Sequence, residues 1–205
     1  MDYVPHADAV NIPFVTGLII FTVIWFAARV LICFFRKKLD LKHEAKMLLM
    51  YINLAVLFRI TLFSLHHDAA GSIQPLIFDP DDIFPLNINF VPLQNMFDFS
   101  TTKDMLINII GNITMFIPTG IILPVIYKKL RSFPRTVLAG GLISLCIEIL
   151  QLPFCERTSD INDLILNTVG AALGYGVFAF ARKIKKESLN KKTEVMIWKD
   201  SGIIL

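Results

Sequence analysis

Five long apolar runs decide what this chain can fold into. They are Ile12–Phe35, Met47–Leu65, Met105–Tyr127, Thr136–Leu152 and Ile161–Ala181. Roughly 20 mostly apolar residues suffice to cross the hydrocarbon of a bilayer. In lipid the backbone amides must be satisfied within the segment itself, so each such run is expected to be a helix. The fold class that follows is all-α: a polytopic membrane protein with five transmembrane helices. The charged residues, 18% of 205, lie in short clusters between the runs, which excludes a soluble globular domain or a disordered chain. The first run does not read as a typical secretory signal peptide. The residues before it, MDYVPHADAVN, include two aspartates and no lysine or arginine, and the run is longer than a usual signal core.

The loop charges orient the bundle. RKKLDLKHEAK after the first run, YKKLRSFPR after the third and RKIKKESLNKK after the fifth are basic. The N-terminal segment, the long 66–104 segment and the 153–160 loop carry most of the aspartates and few cations. By the positive-inside rule the N-terminus is expected outside and the C-terminus inside. Three parts follow: residues 1–104 with two helices and an extracytoplasmic loop, 105–182 as a three-helix core, and 183–205 as a basic cytoplasmic tail. The tail is expected to be flexible and associated with lipid headgroups. The 66–104 segment holds Pro75, Pro80, Pro85 and Pro92 among apolar residues, and reads as a structured cap or re-entrant element.

Polar residues inside spans are costly and face the bundle or a wet cavity. With this orientation Asn108 and Asn112 of the third run, Glu148 and Gln151 of the fourth, and Asp163 and Asn167 of the fifth all lie toward the outer leaflet, with Arg59 of the second nearby. Gly141, Ser144, Glu148 and Gln151 form one helical stripe, as do Asp160, Asp163, Asn167, Gly170 and Gly174. Asp104, Asn108, Asn112 and Thr119 share a face too. Gly170 and Gly174 have the spacing that lets helices approach closely, and are expected to pack the fifth span on the fourth. Arg29, near the inner end of its span, is expected to snorkel. Glu148 is the best candidate for a reacting group, because an unpaired carboxylate at that depth costs several kcal/mol. Its bland alternative is a static ion pair with Arg59 or Arg157. Cys33, Cys146 and Cys155 lack the spacing of a metal or redox site. His66-His67-Asp68 reads as surface histidines at a span end.

The stretch from Asn108 to Gly174 resembles the VanZ-like family of small bacterial membrane proteins. The resemblance rests on NITMFIPTGIILP from Asn112 to Pro124, on Ser144, Glu148 and Gln151, and on Arg157, Asp160, Asp163, Asn167 and Gly170. Asn-Phe-Val-Pro-Leu at 89–93 looks like the family's short motif ahead of its central spans. The resemblance implies a multi-span helical fold in the bacterial cell membrane. It also implies an association with resistance to the glycopeptide teicoplanin, with no cofactor and no agreed reaction.

Three functions compete at this stage. One is binding or modification of a lipid-linked or lipid-like molecule at the outer leaflet. There Arg157 clamps a phosphate or carboxylate, Glu148 acts as general acid or base, and Asn108, Asn112, Gln151, Asp160, Asp163 and Asn167 complete the substrate site. Mg²⁺ or Ca²⁺ held by the three carboxylates ranks lower, since Arg157 neutralises the loop. The second is a non-catalytic binding or shielding protein, and the third a small transporter. The polar stripes stop halfway and there is no inverted repeat, which disfavours the third. Expected partners are membrane lipids and a lipid-linked cell-wall precursor or lipoglycopeptide. No nucleic acid, cofactor or metal is expected, since no phosphate loop or nucleophile elbow appears.

Overall fold

The computed structural model describes residues 8–37, 40–63, 73–82, 84, 86–94, 96, 101–155 and 157–200. Five long helices carry the chain: α1 (Phe14–Arg36), α2 (Leu41–Leu62), α3 (Thr102–Ile126), α4 (Phe133–Gln151) and α5 (Ile161–Asp200). Each contains a segment long and apolar enough to cross a membrane. Four short strands, β1 (Val10–Ile12), β2 (Leu76–Phe78), β3 (Ile88–Asn89) and β4 (Ser159–Asp160), gather at the end where α1, α3 and α5 begin and α2 and α4 finish. This is the capped end. The opposite end, with the Lys- and Arg-rich connections, is the basic end. The His66-His67-Asp68 run lies outside the described residues, as do the last two residues of the second expected span.

Helix limits follow local chemistry. α2 starts two turns before the apolar run, because the Asp40 carboxylate accepts the backbone N–H groups of Lys42 and His43 at 3.0 and 3.3 Å and caps the helix. Thr101 caps α3 in the same way through the N–H of Asp104. α3 runs through Pro118 and Pro124, as membrane helices tolerate when neighbours restore the freed groups. Arg131 donates to the Pro124 carbonyl at 3.1 Å. α5 corrects the expected flexible tail. It continues as helix to Asp200, because no glycine or proline interrupts it after Gly176 and because Glu187 stands four residues before Lys191.

The helices pack in two unequal sets. α3 and α5 run parallel in close contact, with α4 antiparallel against α5. The seam is made of small residues. A side chain on Gly170 or Gly174 would run into the carbonyl oxygens of Ile113 and Ile117 on α3, and one on Gly120 into that of Ala171 on α5. This corrects the expected partner of Gly170 and Gly174, which is α3 and not α4. The closest glycine of α4 is Gly140, against the Ala171 methyl, whereas Gly141 faces the Thr168 side chain less tightly. α1, in contrast, leans on α2 through aromatic rings. Phe21 stacks on Phe58 and Tyr51 with centroids 5.3 and 5.8 Å apart, and Thr22 shares a 2.8 Å hydrogen bond with Tyr51. Arg29 does not snorkel: it forms a two-pronged ion pair with Glu44 across the α1–α2 turn, at 2.5 and 3.1 Å.

The cap is built from β-pairing that the apolar pattern hides. β1 pairs antiparallel with β2, Asn11 opposite Ile77, and β3 pairs parallel with β4, Asn89 opposite Asp160. Below β1–β2 lies a core of Leu62, Phe63 and Leu76, joined by Phe14, Phe58 and Phe154. A second core of Met47, Met50, Ile122, Leu123 and Ile126 lies toward the basic end.

Candidate functional site

The polar residues of α3, α4 and α5 meet beneath the capped end, where α5 begins. Glu148 sits in the last turn of α4 and is only 5% exposed. Its Oε2 accepts the backbone N–H of Asp160 at 2.9 Å, immediately before the first residue of α5. The carboxylate thus meets the positive end of a helix dipole. The alternative of an ion pair with Arg59 or Arg157 does not form among the described residues. Arg59 turns instead to its own helix end, donating to the Phe63 carbonyl at 3.1 Å and lying over the Phe14 ring.

Three further bonds tie the site together. Asn112 donates to Asp163 Oδ1 at 2.7 Å, joining α3 to α5. Asn167, 1% exposed, donates to the Ser144 hydroxyl at 2.9 Å, joining α5 to α4. Gln151 donates to the Thr61 carbonyl at 2.8 Å, joining α4 to the end of α2. The side-chain carbonyl oxygens of Gln151 and Asn167 are buried without a hydrogen-bond partner among the described residues. A buried unsatisfied acceptor calls for an explanation, and a site for a donor is one.

A strap closes over the start of α5. Asn89 donates to Asp160 Oδ1 at 3.1 Å, and the same oxygen accepts the Asn162 N–H at 2.8 Å. Asn162 in turn accepts the Leu93 N–H at 2.7 Å and donates to the Gln94 carbonyl at 2.9 Å. Asn87 donates to the Thr158 hydroxyl at 2.7 Å and to the Arg157 carbonyl at 3.4 Å. The segment 87–94 therefore fixes the backbone whose N–H meets Glu148. Leu93 adopts a left-handed φ of 66° to make that return.

Of the eight expected site residues, Glu148 meets Asp160 and Asn112 meets Asp163 at the start of α5, whereas Gln151 reaches Thr61 of α2 and Asn167 reaches Ser144 of α4. Arg157 is half-buried in the loop immediately before Asp160. Asn108 lies one turn before Asn112, nearer the start of α3, and is half-buried, outside this network among the described residues. The expected α3 stripe divides. Asn112 faces α5, but Thr119 accepts from Asn53 of α2 at 2.8 Å, both buried. Glu148, Asp160 and Asp163 are neighbours without forming a three-ligand cation site. The residues not foreseen are Asn53, Asn87, Asn162 and Asp79, the last fully buried beside the cap. Asn53 had a usable signal, an amide in the middle of an apolar run. Asn162 had none, since it falls between two members of the aspartate stripe.

In chemical terms the site offers three buried or half-buried carboxylates beside a helix N-terminus, amides that orient a polar group, and a guanidinium in the adjoining loop. Such a set can bind a polar head and exchange a proton with it.

Comparison with known proteins agrees with this geometry. The profile of the family described as VanZ/LLP1 matches residues 49–182, from the third turn of α2 to Arg182 within α5. Protein VanZ of Enterococcus faecium is 34% identical over 89 residues, 43% of this chain and 54% of that relative. The chain therefore spans about half the length of the curated relative it matches. No solved structure matches it. Because the family profile takes in more than half of the chain, including α3, α4 and the start of α5 where the polar network lies, this protein belongs to the VanZ/LLP1 family.

Proposed function

We propose that this protein acts in the bacterial cell membrane, with its capped end at the outer leaflet, and that it binds or modifies the polar part of a lipid-linked or lipid-like molecule there. A lipid-linked cell-wall precursor and a lipoglycopeptide both fit that description. The same reading makes lowered susceptibility to a glycopeptide such as teicoplanin the cellular outcome. The observation that carries it is Glu148, a carboxylate 5% exposed at the junction of two spans that accepts the backbone N–H of Asp160 and has no cationic partner among the described residues. Pure packing is served more cheaply by an apolar residue at that depth. Glu148 is the candidate acid or base, Arg157 the clamp for an anionic group, and Asn108, Asn112, Gln151, Asp160, Asp163 and Asn167 the groups that orient the head.

The test is a paired measurement of membrane abundance and glycopeptide susceptibility for Glu148→Gln and Asp163→Asn. Glutamine keeps an oxygen for the Asp160 N–H while removing the charge and the titratable proton. Loss of phenotype at normal abundance is the expected result. Full activity in both variants defeats the site, and loss of abundance together with activity makes Glu148 a helix-capping residue. Orientation is tested separately with an exterior-active reporter fused after Lys192, which should be silent. Strong exterior activity would invert the bundle and put the site in the other leaflet.

A further inference from the structure

A cleft of about 580 Å³ lies between α1, α2 and α4 and meets the polar network only behind Thr61, whose carbonyl Gln151 occupies. α1 contributes Gly17, Ile20, Phe21 and Ile24; α2 contributes residues from Leu54 to Leu62; α4 contributes residues from Leu142 to Leu150. Ile12, Leu76 and Phe154 close it beneath the β1–β2 sheet. Its floor is deeply buried, with Leu57 1% exposed, while its rim is half open, with Ile24 63% and Leu142 53% exposed. The cleft therefore opens sideways, in the plane of the bilayer, and three helices enclose it.

No water can be held there. The single hydroxyl in its wall, on Thr61, donates to the Leu57 carbonyl at 2.8 Å, and the Thr61 carbonyl accepts from Gln151. A buried water needs two to four polar partners. Apolar holes of about 150 Å³ stay dry and take up apolar guests, and this cleft is larger. Within a membrane the substance in contact with the open side is lipid hydrocarbon. Gly17 is the one buried residue of α1 and lines the cleft, packed closely against the ring edges of Phe58 and Phe63.

We propose that this cleft seats one acyl chain of a membrane glycerolipid, held by three helices and distinct from the lipid that wets the convex faces of α3 and α5. The seat does not depend on the polar network binding or reacting with anything. It gives α1, which has few protein neighbours, a lipid as part of its packing against α4.

The experiment uses the full chain in nanodiscs of phosphatidylethanolamine and phosphatidylglycerol, with a trace of phosphatidylglycerol carrying a diazirine in one acyl chain. After illumination, labelled residues are mapped by peptide mass spectrometry. Label should concentrate severalfold on Gly17–Ile24 and Leu142–Leu150 relative to the lipid-facing residues Ile107 of α3 and Val177 of α5. Cys146→Trp, which fills the cleft from its α4 wall, should bring cleft labelling down to that background while Ile107 and Val177 keep theirs. Ile20→Phe fills it from the opposite wall and should do the same if the first variant is poorly made. An even spread of label over all lipid-facing surfaces overturns the proposal, and so does cleft labelling that both filling variants leave unchanged. Protection of the cleft by a lipidated glycopeptide but not by excess unlabelled phosphatidylglycerol would also overturn it, assigning the seat to the drug. A crosslink between two copies through α1 and α4 would assign it to a second chain.

Discussion

The α1–α2 pair and the α3–α4–α5 trio hold together by different physics. In the trio the backbones touch. Gly120, Gly140, Gly170 and Gly174 let the helices close until main-chain atoms of one meet main-chain or methyl groups of the next, and Asn112–Asp163 and Asn167–Ser144 cross the seam. In the pair the contacts are rings and long side chains, with an ion pair at one end and a stacked Phe21–Phe58 in the middle. Lipid tails are as apolar as leucine, so burial of hydrocarbon does not drive spans together; close packing and internal hydrogen bonds do. The trio has both in abundance. The pair has them only at separate points, and its remaining surface is in contact with lipid. A rigid trio that positions carboxylates, beside a pliant pair that meets the bilayer, is the division the two regions teach.

Substitutions that enter each region can break that division. The largest effect is expected from Gly170→Ala. Its new methyl meets the Ile113 carbonyl, a backbone atom that cannot swing aside. About 3 kcal/mol or more of stability should be lost, seen as a lowered melting transition in detergent and reduced abundance. Gly17→Ala is the matching change in the pair. There the neighbours are the ring edges of Phe63 and Phe58 at 3.1 and 3.3 Å, which can tilt, and a loss below about 1 kcal/mol is expected. Equal losses would erase the distinction between seam and ring contact.

Next in size is Arg29→Leu, which strands the Glu44 carboxylate in the pair and should cost about 1–3 kcal/mol. Adding Glu44→Leu should recover most of that, because apolar replacement of both partners removes the unmatched charge. A double variant no better than the single would show that the ion pair does more than hold α1 to α2. The smallest effect is expected where the two regions meet. The Asn53–Thr119 bond joins α2 to α3, and a double-mutant cycle with Asn53→Leu and Thr119→Val should give a coupling of roughly 0.6 kcal/mol, the average for such bonds in membranes. A coupling above about 2 kcal/mol would make this contact an organising one.

The existence and order of the helices were legible because each apolar run must satisfy its own amides in lipid. Their ends were less so. α2 begins at Leu41 because of a cap at Asp40 rather than a change in hydropathy, and α5 runs on because Arg182–Asp200 contains no breaker. Depth and helical phase together placed Asn112, Glu148, Gln151, Asp163 and Asn167 in one layer, a reading that needed only 1.5 Å per residue and a common face. Which helix each of them meets was not legible. Phase says that Gly170 faces inward but not whether α3 or α4 is there, and α3 lies parallel to α5, two spans earlier in the chain. The strap was hidden for another reason. Strands of two or three residues leave no period to detect, and Asn89 meets Asp160 across a sequence gap that local pattern cannot bridge.

The parallel pairing of α3 with α5 also has a bearing on biogenesis. The tightest contact in the protein joins helices that are made at different times, with α4 and its loops synthesised between them. Until α5 enters the bilayer, Asn112 has no Asp163 to donate to, and the α3 groove at Ile113, Ile117 and Gly120 is filled only by lipid. Each nascent chain thus passes through a state with an unmet amide and an open notch in the membrane. The arrival of Asp163, Gly170 and Gly174 with the last span supplies the missing acceptor and fills the notch.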